Sequence, residues 1–219
     1  ELLHTLGYEV IIPFHLESGR TWLSKGLVRK AKKIANQNIE LLSSLISAST
    51  PLIGLEPSAI LTFRDEYPDL ATNENVAAAQ HLAKHSFFID EFLASEMQAG
   101  NITKDQFTDQ AKSILLHGHC QQKAVSSLSD TVKVLSFPTN FKVDTIASGC
   151  CGMAGSFGYE KEHYKVSMNI GELVLFPKIR AHHHNCTIAA AGTSCRHQIK
   201  DGTGVQALHT VEILHTALR

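Results

Sequence analysis

Apolar residues fall into short runs separated by longer stretches with helical spacing. Val10-Ile11-Ile12-Pro13-Phe14 reads as a buried strand followed by a turn. From 22 to about 46, Leu23, Leu27, Ile34, Leu41, Leu42, Leu45 and Ile46 recur near the helical period, with Lys25, Arg29, Lys32 and Lys33 on another, solvated face, predicting one long helix. Residues 51–55 predict a short strand, the turn Glu56-Pro57-Ser58 follows, and a helix runs to Asp65. A helix is predicted over 75–99, with Phe87, Phe88 and Phe92 as packing aromatics. Residues 113–117 form the next predicted strand, with Gly118-His119-Cys120 at its carboxyl end, where ligands collect in open α/β sheets. A helix over 121–128, a strand over 132–137, a short strand near 143–146 and a helix from 159 to about 180, interrupted near Pro177, come next. A strand over 186–191 delivers Gly192-Thr193-Ser194-Cys195 to its carboxyl end, and a strand near 205–208 and a helix over 210–218 complete the alternation. The fold class expected is α/β, with mainly parallel sheets flanked by helices.

The chain is organised around Ser148-Gly149-Cys150-Cys151-Gly152-Met153-Ala154-Gly155-Ser156-Phe157-Gly158-Tyr159. Adjacent cysteines pair with each other only at the cost of strain, so two neighbouring thiols point to another partner, a metal. Glycines around them allow positive φ and close approach to a bulky ligand. A helix opening near Tyr159 would aim its positive end at the pair and favour the thiolates that metals bind.

An internal repeat is legible. Leu16-Glu17-Ser18-Gly19, a long helix with Asn38-Ile39-Glu40, a strand and Glu56-Pro57-Ser58-Ala59 correspond to Gly149-Cys150-Cys151-Gly152, a long helix with Asn169-Ile170-Gly171, a strand and Gly192-Thr193-Ser194-Cys195. Two pseudo-symmetric units follow from this, 1–101 as a degenerate copy without thiols and 102–219 as the copy that keeps them. In the first, Arg20 is expected to pair with Glu17 or Glu56 where the other holds its cysteines.

Composition narrows the function classes. Twenty basic against twenty-one acidic side chains give a formal charge of -1, so neither nucleic acid nor an anionic membrane is an expected partner. With 43% hydrophobic residues among 219 the chain can bury a core, yet no eighteen-residue apolar run suggests membrane insertion. Five cysteines form no even disulfide framework, which points to a reducing, cytoplasmic setting. The start at Glu1 suggests a piece of a longer polypeptide. His182-His183-His184 project in different directions and are read as exposed rather than as a metal site.

The order Cys120, Cys150-Cys151-Gly152 and Cys195 closing Gly-Thr-Ser-Cys resembles the cysteine-rich CCG domain shared by heterodisulfide reductase and the iron-sulfur component of glycolate oxidase. Glu17-Ser18-Gly19-Arg20, Gly54-Leu55-Glu56-Pro57-Ser58, Arg64-Asp65-Glu66-Tyr67-Pro68, His117-Gly118-His119-Cys120 and the segment from Gly192 to Gln198 extend the resemblance to the C-terminal module of FAD-linked D-2-hydroxyacid dehydrogenases, of the D-2-hydroxyglutarate and D-lactate type. The resemblance implies an oxidoreductase module serving electron transfer, with FAD carried on an absent domain or partner. Its expected partners are flavin-binding and ferredoxin-like domains of the same polypeptide or of a separate one, and catalysis by this chain alone is not expected. The family's closing Cys-x-x-Cys has Gly192 in place of its first thiol here. Cys120, Cys150, Cys151 and Cys195 remain as the expected metal ligands, and four thiolates suit either Zn2+ or an iron-sulfur cluster. A structural zinc module that docks the flavin domain is therefore the alternative to electron transfer. His117 and His119 are candidate ligands or hydrogen-bonding neighbours of ligands, Arg196 a candidate for stabilising negative charge, and His163 and His197 weaker candidates. Cys186, before its strand, is read as structural.

Overall fold

The computed structural model describes residues 1–219. The elements in order are α1 (Leu2–Thr5), α2 (Arg20–Ser24), α3 (Val28–Leu42), β1 (Leu52–Gly54), α4 (Pro57–Arg64), α5 (Glu66–Leu70), α6 (Val76–Lys84), β2 (Ser86–Phe88), α7 (Ile89–Ala99), β3 (Lys112–His117), α8 (Cys120–Val125), α9 (Ser129–Leu135), β4 (Phe141–Thr145), α10 (Tyr164–Leu173), α11 (Leu175–His182), β5 (Thr187–Ala190), α12 (Thr193–Thr203) and α13 (Thr210–His215). The fold is α/β, with parallel strands flanked by helices, as the alternation predicts. No helix is long and apolar enough to cross a membrane. The chain divides into two compact units, one of residues 11–89 and one of residues 1–10 with 90–219.

In the unit of residues 11–89, β1 and β2 pair in parallel, Leu52 opposite Ser86 and Gly54 opposite Phe88. The predicted strand at Val10–Phe14 is absent, and Ile12 is 86% exposed. Its β-branched residues favour extended backbone, but no neighbouring strand pairs with it, and Pro13 has no N–H to give a ladder. The single helix predicted over 22–46 is two, because Gly26, at φ 71°, turns the chain between α2 and α3. Ala31, Ala35, Asn38, Ile39 and Leu42 form the buried face of α3, while Leu27, Leu41 and Leu45 are exposed. The basic residues on it are solvated, as expected. The helix predicted over 75–99 is interrupted by β2, since Ser86-Phe87-Phe88 finds the edge of β1, and a run this short carries no period of its own. Asn38 ties α3 to the incoming loop: its Oδ1 accepts from Leu16 N–H at 2.8 Å and its Nδ2 donates to the Glu17 carbonyl and to Tyr67 Oη.

The other unit is built on a three-stranded parallel sheet in the order β4-β3-β5, with Ile114 opposite Val143 on one side and Thr187 on the other. Helices carry the crossovers, and Phe176 of α11 locks two of them: a Cβ added at Gly171 of α10 or Gly202 of α12 would lie 2.3 Å from its ring. Residues 132–137, predicted as a strand, lie mostly in α9. The valines alternate, but Thr131, Val134 and Leu135 are the buried set, at helical spacing, and Ser127 Oγ accepts from Ser129 N–H at the helix start. The helix predicted from 159 begins only at Tyr164, after a 3-10 turn at Phe157–Tyr159, and it breaks at Val174. Pro177 explains the break: its ring would collide with the carbonyl four residues back, that of Leu173, whereas in the first turn of α11 its missing N–H costs nothing. Residues 205–208 make one parallel bridge, Ala189 to Leu208, and no strand.

Candidate metal centre

Each strand of the three-stranded sheet delivers sulfur from its carboxyl end. His117 is the last residue of β3 and Cys120 the first of α8; Cys150 and Cys151 lie in the loop after β4; Cys195 sits in the first turn of α12, just beyond β5. A ring nitrogen of His117 and the Sγ atoms of Cys151 and Cys195 all lie within 4.8 Å of one another, and the three residues are 1%, 3% and 2% exposed. Cys150 is half-buried and Cys120 exposed, so the cluster runs from the core to the surface.

The four thiols act on one another, and their proton affinities alternate along the series Cys120, Cys150, Cys151 and Cys195. Cys150, accepting from Cys120 and Cys151, is held far below the usual thiol range. Cys195 is also held well below it, first by Cys151 and then by the neighbouring His117 and His119, against the effect of burial. Cys120 and Cys151 are held far above it, first by their bonds to Cys150 and then by burial and neighbouring thiolates. The cluster thus keeps thiolates ready beside protonated thiols, the state from which a thiophilic cation displaces the remaining protons.

The backbone of the cysteine turn has the conformation its glycines imply. Gly152 stands at φ 109° and Gly155 at φ 67°, and Gly152 N–H donates to Cys150 Sγ at 3.3 Å. A Cβ at Gly152 would lie 2.1 Å from the Ser167 carbonyl oxygen. Gln198 Nε2, from α12, donates to that carbonyl at 3.1 Å and to Ser167 Oγ at 2.9 Å, fastening α10 and α12 behind the turn. Two residues that the sequence pattern did not mark hold the turn from the front. Lys123 Nζ donates to the carbonyls of Ser148 and Gly149, each at 2.8 Å, and Ser148 Oγ meets His117 Nδ1 at 2.8 Å. Lys123 follows Cys120 by three positions, so helical spacing was the available signal for it. Ser148 had none beyond its place beside the glycine.

His119 caps α8, its Nδ1 accepting from Gln121 N–H at 3.2 Å, and its ring lies against Gly192. Arg196 donates to the carbonyls of Ala190 and Ala191, at 3.0 and 2.5 Å, and so clamps the turn that presents Cys195. His163 stacks on Phe157 in the loop beyond the cysteines, and His197 of α12 meets Tyr159 Oη of that loop through its Nδ1 at 3.2 Å. Cys186 Sγ donates to the His182 carbonyl before β5. In the unit of residues 11–89, Arg20 forms an ion pair with Glu66, a carboxylate the repeat register did not single out. Glu17 accepts from Gly19 N–H and Trp22 Nε1–H, and Glu56 caps α4 by accepting from Ser58 N–H.

The chain is similar over nearly its whole length to parts of larger proteins. D-2-hydroxyglutarate dehydrogenase of Escherichia coli (strain K12) is 29% identical over 217 residues, 97% of this chain and 20% of that protein. The Haemophilus influenzae protein of the same name is 29% identical over 225 residues, 100% of this chain and 21% of that protein. One of the component chains of the anaerobic glycerol-3-phosphate dehydrogenase of Escherichia coli (strain K12) is 24% identical over 197 residues, 90% of this chain and 48% of that one. The chain therefore spans a fifth of the first two relatives and less than half of the third. All three bear the name of a dehydrogenase or of a component of one. No protein-family model matches the chain, and no solved structure matches it.

Proposed function

We propose that this chain is the C-terminal metal-carrying module of an FAD-linked oxidoreductase, with an iron-sulfur cluster held by Cys120, Cys150, Cys151 and Cys195 that serves electron transfer in oxidation of a D-2-hydroxyacid. The observation that carries the reading is the meeting of two buried thiols, Cys151 after β4 and Cys195 after β5, with the buried His117 at the end of β3, whose Nε2 has no hydrogen-bond partner. An orphaned imidazole nitrogen among thiolates fits a thiophilic metal. An iron-sulfur cluster, when bound, supplies one-electron exchange at a potential tuned by hydrogen bonds to its sulfurs. The chain's own residues do the positioning: Lys123 holds the cysteine turn, Arg196 the Cys195 turn, and burial keeps water from all but the Cys120 side. The lengths of the relatives support further domains in the same polypeptide, which we read as flavin-binding and ferredoxin-like, there or in a partner, and the cysteine usage fits a reducing, cytoplasmic compartment. Residues 1–101 are read as a copy of the cysteine-rich repeat that has lost its thiols, its turn held by Asn38, Tyr67 and the Arg20–Glu66 pair.

A second reading, a structural zinc site that docks the flavin domain, is favoured by His117 itself, because mixed thiolate and imidazole sets are common for zinc. Anaerobic purification of the full chain, followed by iron, zinc and acid-labile sulfide analysis beside the visible spectrum, separates the two. Iron with matching sulfide and a visible band that bleaches on reduction is the expected result. A colourless protein with one zinc per chain establishes the second reading, and a chain that takes up neither metal overturns both.

A further inference from the structure

His117 and His119 sit two residues apart beside the same sulfurs, yet their surroundings differ at Nδ1. His117 Nδ1 faces the Ser148 hydroxyl, which accepts a proton as readily as it donates one, while its Nε2 is buried without a hydrogen-bond partner. His119 Nδ1 accepts from a backbone N–H, that of Gln121, which has only a proton to give. A neutral ring whose Nδ1 accepts must carry its own proton on Nε2. The Cδ2–Nε2 edge of His119 and the Cys195 sulfur both lie beside Gly192. A Cβ built at Gly192 would lie 2.3 Å from His119 Cδ2, 3.0 Å from His119 Nε2 and 3.3 Å from Cys195 Sγ. The imidazole edge and the sulfur therefore border one small volume, which stays clear only because residue 192 has no side chain.

We infer that the two histidines are held in opposite tautomers with opposite roles: His117 offers an Nε2 lone pair to the metal, and His119 offers an Nε2 hydrogen to the Cys195 sulfur. Gly192 is then a requirement of His119, and the centre has a hydrogen-bond donor where a side chain at 192 would place a further ligand. The donor set then adds one neutral imidazole to the thiolates, where a thiolate at 192 would have added a further negative charge. The metal part of this inference rests on the reading of the centre proposed above; the tautomers do not.

The test begins with the metal-free full chain, ring-15N-labelled at histidine, with His117→Ala and His119→Ala used to assign the two rings. Long-range proton–nitrogen correlations are expected to show the Nδ1–H form for His117 and the Nε2–H form for His119; the same tautomer in both overturns the inference. Metal-loaded protein is then examined by X-ray absorption and by competition with a chelator. His117→Ala should remove a nitrogen from the metal's ligand shell. His119→Ala should leave the shell intact while weakening retention about 10–100-fold, as loss of a residue supporting a ligand does. His119→Ala combined with Gly192→Cys should retain metal better than Gly192→Cys alone, and a double variant no better than that single one overturns the steric link. If the wild-type chain binds no metal while the tautomers are opposite, the reading of the centre fails and the His119 arrangement stands.

Discussion

Ser148 Oγ and His117 Nδ1 lie 2.8 Å apart in the buried end of the centre, and this is the contact that orients the imidazole. Ser148→Ala leaves the Nδ1 proton without its acceptor and the ring free to turn. On the proposed reading the variant should lose metal about 10–100-fold faster to a chelator than the wild type, with little change in thermal midpoint of the apo chain. Cys151→Ser, which removes a buried donor, should strip most of the metal. Equal metal retention in Ser148→Ala and wild type would show that the hydroxyl does not orient the ring.

Lys123 strings α8 to the cysteine turn through two carbonyls. Lys123→Met keeps the aliphatic stem and removes the donors, so the predicted loss is about 1 kcal/mol, small because the ammonium is exposed. The more telling measurement is alkylation of Cys150 in the apo chain, which should quicken as the turn loosens. An unchanged rate sinks the idea that Lys123 fixes the turn.

Gly152→Ala combines a side chain at φ 109° with a collision at the Ser167 carbonyl. Strain and overpacking together predict a loss of roughly 2–5 kcal/mol in urea unfolding. Gly100→Ala, at φ 80° but with open space around it, isolates the backbone part and should cost roughly 1–2 kcal/mol. Equal losses for the two would remove the carbonyl contact from the account.

Asp90 is fully buried, accepting from Thr131 Oγ1 at 2.7 Å and from Thr210 Oγ1 at 2.8 Å. Burial pushes its carboxyl up to about 6 from 3.8, the two hydroxyl bonds oppose the rise, and the charges of Glu91 and Asp130 add to it. The folded state thus holds the proton more tightly than the unfolded one. The stabilisation is complete below pH 3.8 and is lost as pH rises through about 6, up to about 3 kcal/mol in all. His209, whose Nδ1 lies 3.4 Å from Thr210 Oγ1, is the neighbouring ionisable residue to control for. Stability of Asp90→Asn measured from pH 4 to 7 should lack that decline; the same slope in variant and wild type would assign it to another group.

The alternation of strands and helices was legible because β3 and β5 are short apolar runs followed by glycine, and the order of residues placed Cys120 and Cys195 just beyond their carboxyl ends. The turn around Gly152 was legible because few residues but glycine tolerate its backbone. The regions read wrongly are those where local pattern and tertiary contact disagree. Val132 and Val134 alternate like a strand but lie on α9, and Ser86-Phe87-Phe88 continues a helical stretch until β1 offers an edge. Val10 to Phe14 has strand composition without a partner to pair with. His119 against Gly192, seventy-three positions away in sequence, left only the bare glycine as a trace. Glu66 as a partner of Arg20 was hidden likewise, since it comes from α5, forty-six positions away.

The order β4-β3-β5 also sets when the centre can exist. Thirty positions separate Cys120 from Cys150 and forty-five separate Cys150 from Cys195, and helices fill the crossovers between their strands. No local segment of a newly made chain holds more than two of the four thiols, and loop-closure entropy opposes gathering the rest before the sheet is paired. A metal that needs the full set therefore binds the finished sheet and not its precursors, and its binding energy is added wholly to the assembled state. Metal uptake followed in time would mark the last step of folding, with the outer strands already in register on β3.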